Sequence, residues 1–143
     1  MLPKYAVEME AIVIEPTEQC PRVRFNTDGK LLLEGHSLPE NVASFYEPLC
    51  EYASSLNLEE ATFDVNLEYF NTATSKKLLE LFRCLDTNEK LGKVNVNWHY
   101  EEGDEDSVEM AEIYEEKCKQ RTTFQFIMHA EALSLVDRVN FFR

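Results

Sequence analysis

The chain has 143 residues, the size of one domain, and a chain of this length buries roughly 70% of the surface its unfolded form exposes, so neither metals nor disulfides are needed as staples. Hydrophobic residues make up 44% and aromatic residues 11%, which supplies a core and argues against disorder. The net charge of −13, from 27 acidic against 14 basic residues, repels phosphate backbones and excludes nucleic acid and anionic membrane surfaces as natural partners.

The segment Tyr5 to Ile14 is rich in Val, Ile, Tyr and Ala and lies between Pro3 and Pro16, which predicts a strand. Val23-Arg24-Phe25 and Leu31-Leu32-Leu33 flank Asn26-Thr27-Asp28-Gly29-Lys30, and an Asp-Gly between two apolar runs predicts a hairpin. After Pro39-Glu40-Asn41, the positions Val42, Phe45, Tyr46, Leu49, Tyr52, Ala53 and Leu56 form the stripe of a core-facing helix with Asn41 as its N-cap. Pro48 removes a donor inside that stripe and predicts a kink or a separate first turn.

From Ala61 to Phe70, the residues Phe63, Val65, Leu67 and Tyr69 alternate with Asp64, Asn66 and Glu68, the period of a strand with one buried face. The pattern breaks at Asn71-Thr72-Ala73-Thr74-Ser75 and resumes at helical spacing with Leu78, Leu79, Leu81, Phe82 and Leu85, predicting a helix that ends near Gly92. Val94 to Tyr100 alternates again, and the order strand, helix, strand predicts a right-handed crossover to a parallel neighbour.

The acidic run Glu101-Glu102-Gly103-Asp104-Glu105-Asp106 reads as a solvated loop, since it lacks the ligand spacing and closing Glu of a calcium loop. Ser107 then caps a third helix through Cys118, and Phe124 to Met128 is a last strand. Glu131 to Arg143 is too apolar for a solvated tail and reads as a short helix packed back on the domain or on a partner. The expected fold is a single α/β (α+β) domain over 1–143 with its core over about 22–130, an N-terminal hairpin unit leading into β-α-β-α-β, and about three helices on a mixed sheet.

No run reaches the roughly 18 apolar residues of a membrane span, and the start of the chain carries acid where a signal peptide needs a basic segment, so a cytoplasmic protein is expected. Cys20, Cys50, Cys84 and Cys118 form no C-x-x-C pair, and His36, His99 and His129 are not spaced to complete a zinc site. The cysteines read as buried or idle thiols, and no cofactor is expected. The four glycines make neither a G-x-G-x-x-G nor a P-loop pattern.

The junction Asn71 to Ser75 carries its chemistry in its position. Hydroxyls at a helix N-terminus face unpaired N–H groups and partial positive charge, where a phosphate can be held. A phosphate there would set a bulky anion beside Tyr69 and Phe70 and disrupt an interface built on those aromatics. The same residues also serve a purely structural end, with Asn71 or Thr72 capping the helix.

Three blocks together resemble the SiaC family of bacterial regulatory phosphoproteins: Ser37-Leu38-Pro39-Glu40-Asn41, Leu67-Glu68-Tyr69-Phe70-Asn71-Thr72-Ala73-Thr74-Ser75, and Val96-Asn97-Trp98-His99-Tyr100-Glu101. That family is itself similar to the STAS domains of anti-sigma-factor antagonists. The resemblance implies that Thr72 is the phosphoacceptor, that a serine/threonine kinase adds the phosphate, and that a PP2C-like phosphatase removes it. It also implies that the unphosphorylated protein binds and activates a diguanylate cyclase, linking it to cyclic di-GMP and biofilm behaviour. Tyr69, Phe70, Asn71, Thr74, Ser75 and Lys76, with Lys77 beyond them, are then the expected partner surface. Two other readings stand beside this one: a small enzyme or ligand-binding domain using His99 and Cys118, and a constitutive oligomeric scaffold, such as a homodimer, built on the apolar tail.

Overall fold

The computed structural model describes residues 10–130. In chain order the elements are β1 (Ile12–Ile14), β2 (Arg22–Phe25), β3 (Lys30–Ser37), α1 (Val42–Ser55), β4 (Leu58–Phe70), α2 (Thr72–Asp86), β5 (Leu91–Glu101), α3 (Glu105–Lys117) and β6 (Thr122–His129). The six strands form one sheet in sequence order. The pairings β1–β2 and β2–β3 are antiparallel, and β3–β4, β4–β5 and β5–β6 are parallel. The first half is a meander whose strands β2 and β3 are joined by a tight turn; the second needs a helix for each crossover. The expected mixed sheet with three helices is the one formed.

Alternation decides which face is covered. Val23, Phe25, Leu31, Leu33, Phe63, Val65, Val94, Val96, Trp98 and Phe124 point to one side and pack against Tyr46, Leu49 and Ala53 of α1, Leu78, Leu81, Phe82 and Leu85 of α2, and Ala111 and Tyr114 of α3. Phe82 is the hub, with ring centroids 5.1 Å from Tyr114, 5.3 Å from Phe124, 5.6 Å from Phe63 and 6.3 Å from Trp98. The opposite face carries the polar members of the same alternation, including Asp64, Asn97 and His99.

The hairpin forms as the Asp-Gly signal predicts. Gly29 takes φ +91°, where an added Cβ would lie 2.8 Å from the Glu60 carbonyl oxygen, and Thr62 N donates to Gly29 O at 2.8 Å. Asn41 caps α1, its Oδ1 accepting from Ser44 N at 3.1 Å. Pro48 does not split that helix: α1 is continuous from Val42 to Ser55, with the proline on its exposed side.

Several boundaries differ from the sequence expectation. The first strand begins at Ile12; the part predicted from Tyr5 to Met9, and the apolar tail 131–143, lie outside the described residues. Helix α2 ends at Asp86 rather than near Gly92. There the Asp86 carboxylate accepts from Arg121 N at 2.9 Å and Thr122 Oγ1 at 2.8 Å, and buried Asn88 donates to Ala53 O and Leu56 O, so side-chain hydrogen bonds end the helix and Gly92 falls inside β5. Asp104, not Ser107, caps α3, its carboxylate accepting from Ser107 N at 3.1 Å, so Glu105 and Asp106 of the acidic run are helix rather than loop. Ser107 instead accepts from the Trp98 indole N–H at 2.8 Å.

The alternation in β4 also changes phase. Gly35 faces Leu67 but His36 faces Tyr69, so Glu68 is an extra residue on β4. Beyond this bulge Phe70 turns inward, 6.2 Å from Trp98, and Tyr69 turns outward at 57% exposure. Because Phe82 joins strands and helices, Phe82→Ala is expected to lower the unfolding free energy by about 3–5 kcal/mol in urea melts. A loss below about 1 kcal/mol would contradict its place at the centre of the core.

Candidate functional site

Strand β4 runs into α2 through Asn71 alone. Its backbone is extended (φ −91°, ψ 176°), and its side-chain oxygen accepts from Thr74 N at 2.9 Å. Asn71 is therefore the N-cap and Thr72 the first helical residue. A residue so placed leaves its neighbours' amides short of acceptors, and Thr72 N–H and Ala73 N–H have none among the described residues.

Beneath this turn lies a closed set of buried hydroxyls. Thr74 Oγ1 donates to Ser37 O at 2.9 Å, Ser37 Oγ lies 3.0 Å from Thr74 Oγ1, and Tyr46 Oη lies 2.7 Å from Ser37 Oγ. All three residues are fully buried. Each hydroxyl has one proton, and Thr74 spends its own on the Ser37 carbonyl. Ser37 must then donate to Thr74, and Tyr46 to Ser37. Burial pushes the Tyr46 hydroxyl well above the usual tyrosine range, which keeps it a donor. The chain joins the end of β3, the first half of α1 and the first turn of α2. Tyr114 Oη adds a tie from α3, donating to Ser75 O at 2.8 Å.

The junction's three hydroxyls are thereby sorted. Thr74 is buried and doubly bonded, and Ser75 Oγ donates to Thr72 O at 2.7 Å. Thr72 is exposed, and its own hydroxyl has no hydrogen bond among the described residues. Of the expected partner surface, Tyr69 and Lys76 are exposed, whereas Phe70 and Asn71 are half-buried in structural roles and Thr74 is sealed inside. Lys77 pairs with Glu80 at 3.0 Å.

His99 lies on the open face of the sheet. Its Nε2 is 2.8 Å from Asp64 Oδ1 and its Nδ1 2.9 Å from His129 Nε2, the two rings stacked at 5.1 Å. With Nε2–H donated to the carboxylate, Nδ1 accepts from His129 in the neutral pair. A shallow cavity of about 290 Å³ beside them is lined by Asn66, Glu68, His99, Tyr100, Glu101, Asp104 and His129 among others. Cys118 is on the other side of the sheet, buried under α3, with its thiol pushed up to about 11 by burial. The neighbour of His99 in β5, Trp98, faces that core, so His99 faces away and the two residues of the enzyme reading are not brought together. Among the described residues no cluster of His, Cys, Asp or Glu is arranged to hold a metal ion, and no helix is long and apolar enough to cross a membrane.

Ser37 and Tyr46 were not legible as site residues, since neither spacing nor charge connects positions separated by 9 and 37 residues from their hydrogen-bond partners. The only trace was the Ser37 that opens the Ser-Leu-Pro-Glu-Asn block.

An exposed hydroxyl on a firmly tied strand-to-helix junction, carried by a mixed sheet with helices on one face, places the described residues in the class of small α/β domains. The model of the SiaC family of regulatory phosphoproteins matches residues 14–129, and the chain belongs to that family. An uncharacterized protein of Pseudomonas aeruginosa (strain UCBPP-PA14) is 25% identical over 127 residues, covering 85% of this chain and 98% of its own. Apo-SiaC from Pseudomonas aeruginosa shares the fold at TM-score 0.68 and 24% identity, over 82% of this chain and 99% of that one. So does the SiaC structure from the same organism in which the diguanylate cyclase SiaD is in complex with its activator SiaC, at TM-score 0.72 and 23% identity, again over 82% and 99%.

The hydroxyl chain sets an expectation. Thr74→Val keeps shape but leaves Ser37 O and the Ser37 hydroxyl without their partner, and should cost about 1–3 kcal/mol in denaturant melts. Thr74→Ser keeps the donor and should lose less. A smaller loss for Thr74→Val than for Thr74→Ser would show that the methyl group, not the hydrogen bond, holds the junction.

Proposed function

We propose that this protein is a phosphorylation-switched binding module of the cytoplasm, not an enzyme, in which Thr72 receives a phosphate from a serine/threonine kinase and loses it to a PP2C-like phosphatase. The carrying observation is the sorting of hydroxyls at the junction: Thr74 and Ser75 are engaged, and Thr72 is exposed and free. A kinase needs to reach an oxygen and remove its proton; of the three junction hydroxyls, Thr72 alone meets that condition without breaking a hydrogen bond among the described residues.

The position suits the product as well as the substrate. A phosphate on the first helical residue lies against the positive end of α2 and the unpaired N–H groups of Thr72 and Ala73, an interaction worth roughly 0.3–1 kcal/mol at an exposed helix end. The fold therefore tolerates the modification. Its neighbour Tyr69, 57% exposed on the far side of the β4 bulge, is the apolar element that a hydrated dianion would spoil as partner surface. Phosphorylation changes recognition while leaving the sheet intact.

The partner inferred for the unphosphorylated form is a diguanylate cyclase, which it activates. Support comes from family membership over residues 14–129 and from the shared fold of the SiaC that is the activator of SiaD in Pseudomonas aeruginosa. On this reading Tyr69, Lys76 and the exposed start of α2 touch the partner, and Phe70 and Asn71 hold that surface in shape. Cyclic di-GMP synthesis, and the biofilm behaviour it governs, would follow the state of Thr72.

The test is binding to the cognate cyclase, measured by calorimetry or interferometry. Thr72→Ala should bind as wild type does, and phosphorylated wild type and Thr72→Asp should bind at least about tenfold more weakly, near 1.4 kcal/mol. Equal binding by all three would remove the charge mechanism. Tyr69→Ala should weaken binding without lowering the melting temperature, because the ring is exposed; unchanged affinity would move the interface elsewhere.

A further inference from the structure

The two outer edges of the sheet are finished differently. At one, β1 is three residues long and is followed by Pro16, with Glu15 reaching back to Arg22 and Arg24 of β2. At the other, β6 runs for eight residues, Thr-Thr-Phe-Gln-Phe-Ile-Met-His, in unbroken register with β5. It has no lysine, arginine, carboxylate, proline, glycine or bulge, the devices that keep a sheet edge from pairing with another chain. Among the described residues no strand lies on its outer side.

The ladder fixes which groups that edge offers. Val94 N donates to Arg121 O at 2.9 Å and Glu102 N to His129 O at 2.8 Å, so every second residue from Arg121 to His129 turns its amide and carbonyl toward β5. The backbone groups of Thr122, Phe124, Phe126 and Met128 therefore point away from the sheet, a row of donors and acceptors with no strand to meet it among the described residues. The side chains along this row change in character. Glu112, Glu115 and Glu116 of α3, with Lys119, stand with Thr122 and Phe124 around an open groove of about 470 Å³. Among the described residues none of the three carboxylates is in an ion pair. Farther along the strand Phe126 is half-buried and Met128 is 55% exposed.

We propose that the outer edge of β6 is a docking site for an extended segment of a partner protein that carries lysine or arginine, and that this segment adds to the sheet as a further strand. Main-chain hydrogen bonds to Thr122, Phe124, Phe126 and Met128 supply the attachment, and alternate side chains supply the selection. Side chains on the α3 side meet the three carboxylates near Thr122 and the apolar surface of Phe126 and Met128 beyond. The other set lies over Thr123, Gln125 and Ile127 on the open face.

Charge decides between this occupant and a second copy of the chain. A second β6 laid antiparallel would bring its own Met128 end to Glu112, Glu115 and Glu116, with no lysine or arginine on that strand to answer them. Two chains of net charge −13 also repel each other at long range. A basic segment gains from both terms, and salt weakens its hold.

The probe is a capped peptide of alternating lysine and valine, about seven residues long, which spans β6 at about 3.4 Å per residue. Titrated into the full chain, it should bind and slow hydrogen exchange at the amides of Thr122, Phe124, Phe126 and Met128 by at least about tenfold. The same peptide N-methylated along its backbone keeps the charge but loses the strand donors, and should bind at least about tenfold more weakly. Replacing its lysines by glutamate should abolish binding. On the protein side, Glu112→Gln, Glu115→Gln and Glu116→Gln combined should weaken binding at least about tenfold. Met128→Pro removes an outward amide but no bond to β5, and should weaken binding without lowering the melting temperature. Equal binding of the N-methylated peptide, or unchanged exchange at the four amides, would overturn the proposal. So would amides already protected in the free chain: protection independent of protein concentration would place another part of this chain on the edge, and protection that rises with concentration would place a second copy there.

Discussion

Three hydroxyls cannot be buried beside one another unless each finds a partner, because an unpaired one costs about 1–3 kcal/mol. Ser37, Tyr46 and Thr74 meet that constraint with one another and with the Ser37 carbonyl, and the rest of the junction follows from it. The end of β3 fixes where α2 may start. Asn71 is then left as the cap, and Thr72 is left as the first residue of the helix with its hydroxyl in solvent. The difference in exposure among adjacent hydroxyls is thus a property of the fold.

The electrostatics reinforce the arrangement. On a chain of net charge −13 most added anions would be repelled, yet the first turn of α2 has no acidic residue and has Lys76 exposed beside it. A phosphate there gains from the helix end and changes the surface next to Tyr69 more than it changes the core. The bulge at Glu68 separates these roles, sending Phe70 inward to Trp98 and Tyr69 outward. On the proposed function, structure falls to Phe70 and recognition to Tyr69.

Much of this architecture is legible in the sequence because it is local. The Asp-Gly hairpin, the Asn41 cap, the stripe of α1 and the strand-turn-helix geometry at Asn71 each rest on interactions within a few residues. What escapes is long-range. The ends of α2 and the start of α3 are set by Asp86, Asn88 and Asp104, and two of these bind residues more than thirty positions away. The change of phase at Glu68 depends on the partner strand, so alternation alone assigned Tyr69 to the buried face.

At the site itself, the sequence pattern shows that a phosphate can be accommodated somewhere in Asn71 to Ser75, and the family resemblance selects Thr72. The geometry supplies a physical reason for that selection, by sealing Thr74 and engaging Ser75. The central claim is therefore tested most directly by incubating the protein with its cognate kinase and ATP and mapping the phosphate by mass spectrometry. Phosphate on Thr72 alone is the predicted result; phosphate on Thr74, Ser75 or a residue outside the junction would contradict it.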